Sequence, residues 1–157
     1  MKDYLGELPE KVFAFEPDKN NAAKIFKNFS DNEKKRISVI NAGLYCCDGT
    51  MNFLASGTLG SEISENAEDT IMVQALDMHS EFKSATIIKM DIEGCELEAL
   101  RGGGILFREN SPNLAICIYH RNRDLIDIYQ FLKKFEYHFY LRQHSASVEE
   151  TVLYAVR

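Results

Sequence analysis

Polar residues able to do chemistry recur directly after apolar runs in this sequence. Glu16 and Asp18 follow Val12–Phe15, Asn41 and Gly43 follow Ile37–Ile40, Asp91 and Glu93 follow Ala85–Met90, and His120 ends the run from Leu114 to Tyr119. A carboxylate at a strand exit can accept hydrogen bonds from both hydroxyls of a ribose. A carboxylate or imidazole can also take the proton of a hydroxyl, orient a cation or ligate a metal. Each residue has a structural alternative. Asp18 is placed to cap a helix, and Asp91 and Glu93 to offset the positive end of a helix dipole. Glu16 could be a solvated loop acid. His120 has no second histidine at motif spacing and could be a packed structural residue. Arg121, Arg123 and Arg142 could form a patch for an acidic substrate or stand singly on the surface.

These residues need strands and helices to position them, and the sequence alternates the two. Val12–Phe15 reads as a strand stopped by Pro17. Ala22, Ile25, Phe26 and Phe29 at i, i+3, i+4, i+7 give one apolar helix face. Ile37–Ile40 is a second strand. Asp48-Gly49 between apolar flanks predicts a β-hairpin turn, Ser56–Asp69 a polar loop and Thr70–Ala75 a strand. Asp77 is placed to cap a short helix reaching Phe82. The strand Ala85–Met90 is followed by a helix carrying Leu97 and Leu100, ended by Gly102-Gly103-Gly104. That glycine run does not follow a strand and open a helix, so it is not a phosphate cradle. The strand Leu114–Tyr119 precedes a helix with Leu125, Ile128, Tyr129 and Leu132 on one face. Tyr137–Arg142 and Thr151–Val156 then read as an antiparallel pair. Helices between successive strands imply a largely parallel sheet.

Composition narrows the function. The chain has 157 residues, 45% hydrophobic and 27% charged, which predicts one globular domain. Its 18 Lys and Arg against 24 Asp and Glu give a net charge of -6, a surface that repels phosphate backbones and argues against nucleic acid. No apolar run has the roughly 20 residues of a membrane span. No signal-peptide core is visible, so the expected location is cytoplasmic. Cys46, Cys47, Cys95 and Cys117 form no C-x-x-C pair, and no metal is expected from them.

Four segments together resemble the FkbM methyltransferase family. They are Val12–Asp18, Ile88–Gly94 with Glu96-Leu97 and Ala99-Leu100, Leu114–His120, and Thr151–Val156. The resemblance covers nearly the whole chain, and Asp91-Ile92-Glu93-Gly94 is its most specific part. It implies an α/β fold with a Rossmann-like class I methyltransferase sheet, mostly parallel with a C-terminal antiparallel strand pair. It also implies S-adenosylmethionine as methyl donor and a hydroxyl on a sugar or other small molecule as acceptor. By that resemblance Glu16 is the ribose-binding acid, with Asp18 beside it. Asn41, Gly43 and Leu44 lie near the adenine, and Asp91, which would also touch the cofactor, Glu93 and His120 lie where the methyl group moves.

The family opens with a strand and a glycine-rich loop that have no counterpart here, so 1–157 reads as a single, N-terminally incomplete methyltransferase domain. Met1–Glu10 would be the end of the helix after that loop. A sheet without this strand has open edges, which predicts a homo-oligomer or a sheet re-paired across the gap. Two rival readings stay open: a non-catalytic fragment that holds no cofactor, and a nicotinamide-dependent enzyme using Glu16 for its ribose.

Overall fold

A computed structural model describes residues 9–54, 62–63, 69–146 and 150–157. The expected helix end before Glu10 and most of the polar stretch after Ser56 lie outside them. The chain packs as two compact units, Met1–Gly43 with Thr50–Val73, and Leu44–Gly49 with Gln74–Arg157.

In the first unit, β1 (Val12–Phe15) pairs in parallel with β2 (Ile37–Ile40), in register from Val12 opposite Ile37 to Phe15 opposite Ile40. The connection is α1 (Lys19–Ile25), started by Asp18, whose side chain accepts hydrogen bonds from the amides of Asn20 and Asn21. The predicted continuous helix to Phe29 does not form. Phe26–Asn28 tightens into a 3-10 turn, Phe29 is extended, and α2 (Asp31–Lys34) starts afresh. The reason is a competing start signal. Glu33 reaches back to accept hydrogen bonds from the amide and hydroxyl of Ser30, the sequence pattern of a capping box.

The middle of the chain adds β3 (Gly43–Leu44), β4 (Gly49–Leu54), β5 (Glu62–Ile63) and β6 (Asp69–Gln74), ordered β3-β6-β4-β5 in one sheet. Because β6 lies between β3 and β4, Asp48-Gly49 is not the hairpin turn its residue types predict. The Asp48 carboxylate is committed elsewhere, 2.8 Å from the amide of Ala75 and 3.1 Å from Nε2 of His79.

The second unit holds a four-stranded sheet, ordered β7-β8-β10-β9, of β7 (Ile87–Met90), β8 (Asn113–Cys117), β9 (His138–Gln143) and β10 (Thr151–Val156). β7 and β8 are parallel, whereas β10 is antiparallel to both β8 and β9. The C-terminal antiparallel pair is therefore as expected. A mostly parallel sheet is not: β1–β2 and β7–β8 are parallel, but β4–β5, β8–β10 and β9–β10 are antiparallel. The fold is mixed α/β. Among the described residues, β1 and β7 each have a strand neighbour on one side only.

Between β7 and β8 run α3 (Glu96–Arg101) and α4 (Gly104–Glu109), and α5 (Asp124–Leu132) joins β8 to β9. The glycine run ends α3 as predicted, but α4, which follows at once, was not predicted. Gly102 lets the end of α3 approach the chain at Tyr45 and Cys46: a Cβ there would stand under 3.0 Å from the Tyr45 carbonyl oxygen. Met90, Leu100, Phe107, Leu114, Ile116, Ile128 and Leu132 are fully buried and form the core. Burying each such side chain is worth about 1.5–3 kcal/mol. The predicted face of α5 is only half right. Ile128 and Leu132 are buried, whereas Leu125 and Tyr129 are more than 40% exposed. The buried stripe runs 124, 128, 132 and begins with a charged residue, Asp124. No helix among the described residues is long and apolar enough to cross a membrane.

Candidate functional site

The exits of β7 and β8 bring Asp91, Glu93 and His120 together. Nε2 of His120 lies 3.6 Å from an Asp91 oxygen and 3.5 Å from a Glu93 oxygen. Lys89 and Tyr119 are among the neighbours that hold Asp91. Nζ of Lys89 reaches one oxygen at 3.1 Å, and the hydroxyl of Tyr119 donates to the other at 3.0 Å. Burial on its own would raise the Asp91 pKa, but the Lys89 ammonium and these hydrogen bonds outweigh it and hold the carboxyl below its usual range. Asp91 is thus an ionised acceptor. Burial, then the Asp91 hydrogen bond and charge, push the Tyr119 phenol up. Burial and the same charge push the Cys117 thiol up to about 12, so it is no nucleophile.

Glu93 sits in a strained turn. Its φ is 53° and that of Gly94 is 89°, and the amide of Cys95 donates to the Ile92 carbonyl across them. Glycine adopts such angles freely, but glutamate does so at a cost of order 1–3 kcal/mol. The turn aims Glu93 back at His120. A Cβ at Gly94 would also stand 2.8 Å from Nε of Arg121, so the arginine side chain would have to shift in addition to the backbone strain.

Behind His120 lies a carboxylate that sequence reasoning did not single out as a site residue. Oε1 of Glu96 is 2.9 Å from Nδ1 of His120 and accepts a hydrogen bond from the amide of Ile92. The 2.9 Å approach is not a hydrogen bond, and Nδ1 has no hydrogen-bond partner. Glu96 is 1% exposed, and burial raises its pKa despite the Ile92 hydrogen bond and the His120 charge. Its signal was in the spacing. Glu96, Ala99 and Leu100 at i, i+3, i+4 are all buried, so a charged residue stands on the apolar face of α3. Asp124 is the same case on α5, 6% exposed and accepting from the amide of Arg121 at 2.7 Å.

In the first unit, Glu16, Asp18 and Asn41 meet. Oε1 of Glu16 accepts from the Asp18 amide at 2.9 Å, and the Asn41 amide donates to the carbonyls of Glu16 and Pro17 at 2.9 Å each. Asn41 therefore ties the exits of β1 and β2 together, and Asp18 caps its helix through Oδ1 while its buried Oδ2 has no hydrogen-bond partner. Glu16 keeps its second oxygen and is half-buried. Burial raises its pKa, more than the Asp18 amide lowers it. A cavity of about 210 Å³ is lined by Pro17, Lys19, Asn41, Thr50, Thr70, Ile71 and Met72. It is smaller than the roughly 300–1,000 Å³ of whole small-molecule sites, so it suits part of a ligand. Gly43 packs against Ile71 and Val73, and Leu44 is buried.

In open α/β folds, ligands bind at the carboxyl ends of the strands, which is where these acids and the histidine stand. The family is more specific: residues 5–139 match the methyltransferase FkbM domain, and the chain belongs to that family. A crystal structure of a methyltransferase FkbM from Methylobacillus flagellatus KT is similar to it, with 29% sequence identity, a TM-score of 0.69 and 93% of this chain covered. The match spans 36% of that protein. No curated protein matches the chain.

Proposed function

We propose that the domain takes part in S-adenosylmethionine-dependent methylation of a hydroxyl on a sugar or another small molecule, on a Rossmann-like class I methyltransferase scaffold. The observation that carries this is the convergence of Asp91, Glu93 and His120 at the exits of two parallel strands, in a chain of the FkbM family.

The residues fit such a cofactor at Glu16. Its carboxyl is desolvated and has hydrogen-bonding capacity left, so a pair of ribose hydroxyls would relieve the cost of its burial. Asp18 and Asn41 hold Glu16 in place, and Gly43 and Leu44 follow on the next strand. The cofactor, when bound, supplies an electrophilic methyl group. The chain's own residues handle the acceptor. Asp91 accepts a hydrogen bond from its hydroxyl and fixes its direction, since proximity and alignment govern an in-line displacement. The cluster of Glu93, Asp91 and His120 receives the proton that the hydroxyl loses, because a neutral hydroxyl is a poor nucleophile.

The test is equilibrium binding of S-adenosylmethionine to the chain and to Glu16→Ala. Weak binding that is abolished in the variant supports the reading. Equal, measurable affinity in both would remove Glu16 from the site.

A further inference from the structure

Glu96, His120 and Asp124 form a second ionisable group whose purpose the methyl-transfer reading leaves open. Glu96 and Asp124 are 1% and 6% exposed, and the His120 side chain is 9% exposed. One donor atom from each lies within 4.8 Å of the other two. Two of their buried atoms, Oε2 of Glu96 and Nδ1 of His120, have no hydrogen-bond partner. Buried polar groups in folded proteins are nearly always paired, and buried charges are paired or bound to metals. Here two carboxylates share one site, and the Asp124 charge adds to the burial that raises the Glu96 pKa. A proton on His120 would offset one negative charge. A divalent cation would offset both and satisfy both orphaned atoms.

From this geometry we infer that Glu96, His120 and Asp124 bind a divalent cation of the zinc type. One imidazole and two carboxylates, without a thiolate, suit Zn²⁺. Mg²⁺ prefers six oxygens and keeps several waters, which a group this buried does not accommodate. Donors at about 2.1 Å around a tetrahedral centre stand about 3.4 Å apart. The widest separation in the group, at most 4.8 Å, therefore has to close by no more than roughly 1.4 Å, whereas Nδ1 of His120 and Oε1 of Glu96, 2.9 Å apart, are already inside that spacing. No short motif signals the group, since its members lie 24 and 4 residues apart in the chain. A cation on Nδ1 leaves the imidazole proton on Nε2, facing Asp91 and Glu93. His120 then donates to these carboxylates and orients them, and a carboxylate receives the acceptor's proton. The cation site itself does not rest on the methyl-transfer reading.

The experiment is calorimetric titration of the EDTA-stripped chain with ZnCl₂, with MgCl₂ as comparison. One Zn²⁺ per chain is expected, with affinity falling at least about tenfold in both Glu96→Gln and Asp124→Asn. The vicinal thiols of Cys46 and Cys47, with Sγ atoms 4.0 Å apart, are the competing zinc ligands. A Cys46→Ser, Cys47→Ser double variant is expected to keep the binding. Substitution with Co²⁺ gives a readout on the unaltered chain even if a variant fails to fold: visible d–d bands without thiolate charge-transfer absorption. Absence of Zn²⁺ binding, equal affinity for Mg²⁺, loss with the cysteine pair, unchanged affinity in the carboxylate variants, or a thiolate-type Co²⁺ spectrum would each overturn the inference.

Discussion

Substituting alanine at two glycines two positions apart should move stability in opposite directions. At Gly104 an added Cβ meets nothing within 4 Å, and φ is not in the left-handed region. Gly104→Ala should therefore stabilise by about 0.4–1 kcal/mol, through the narrower unfolded ensemble alone. Gly102→Ala gains the same term. Its Cβ, however, falls under 3.0 Å from the Tyr45 carbonyl oxygen, 3.1 Å from Cβ of Ala75 and 3.2 Å from Cα of Cys46. Two of these are backbone atoms, which do not step aside by changing rotamer. The end of α3 is also pinned, because the Gly102 carbonyl accepts from the Asp77 amide at 2.8 Å. Overpacking of this kind costs typically 1–3 kcal/mol, and the upper end applies where backbone must shift. The net effect at Gly102 is a loss of about 2 kcal/mol, leaving the two variants about 3 kcal/mol apart. At a urea slope of about 2 kcal/mol/M, that separates their midpoints by roughly 1.5 M. The chain has no tryptophan, so far-UV circular dichroism is the probe. Midpoints within about 0.3 M of each other, or a more stable Gly102→Ala, would refute the close approach of α3 to Tyr45 and Cys46.

Asp91→Asn and His120→Ala should each lower the rate of methyl transfer by roughly a hundredfold or more, and by more than they lower cofactor affinity, measured by single turnover in a protein carrying the whole family domain. Unchanged turnover in both would return them to structural roles. Glu96 has a folded pKa above its ordinary 4.5, so the folded state binds its proton more tightly than the unfolded state does. Its contribution to stability is then present below pH 4.5 and lost as pH rises through the folded value. In EDTA, Glu96→Gln should flatten that part of the stability–pH curve, and an unaltered slope would count against the burial argument. The one-sided strands β1 and β7 should promote self-association of the chain into a homo-oligomer. Light scattering across a concentration series measures this, and a strict monomer would show that the edges are otherwise blocked.

Strands were the most legible elements, because four to six apolar residues between turn signals leave little choice. β1, β2 and β7 lie within the runs that predict them, and β8 overlaps its run but starts one residue early, at Asn113. Errors came where two local signals competed. The helix face through Phe29 was visible, but so was the Ser30–Glu33 start signal that interrupts it, and the stronger local hydrogen bonds won. Asp48-Gly49 has the composition of a hairpin turn, yet Asp48 bonds to Ala75, 27 residues away, which no local rule anticipates. At the site, residues standing after strands were found by position. Glu96 and Asp124 were not singled out as site residues, because helix acids are usually solvated. Only their place on an apolar face distinguishes them, and in α5 the exposed Leu125 and Tyr129 hid that face.

Asp77 was expected to start a helix directly after it; instead its carboxylate accepts from the amides of Ile105 and Leu106 at 2.8 and 2.9 Å. α4 thus carries no start signal of its own, since its N-cap, Gly103, has no side chain. Six residues are far too few to hold a helix in isolation. α4 should therefore exist only while the segment Leu76–Phe82 is docked, and the two should open as one cooperative unit. Native-state hydrogen exchange reads this directly. The amides of Ile105 and Leu106 should exchange with the same opening free energy as those of Phe82 and Ala85, and Asp77→Ala should speed all four together. Independent rates would mean that α4 is held by its packing alone.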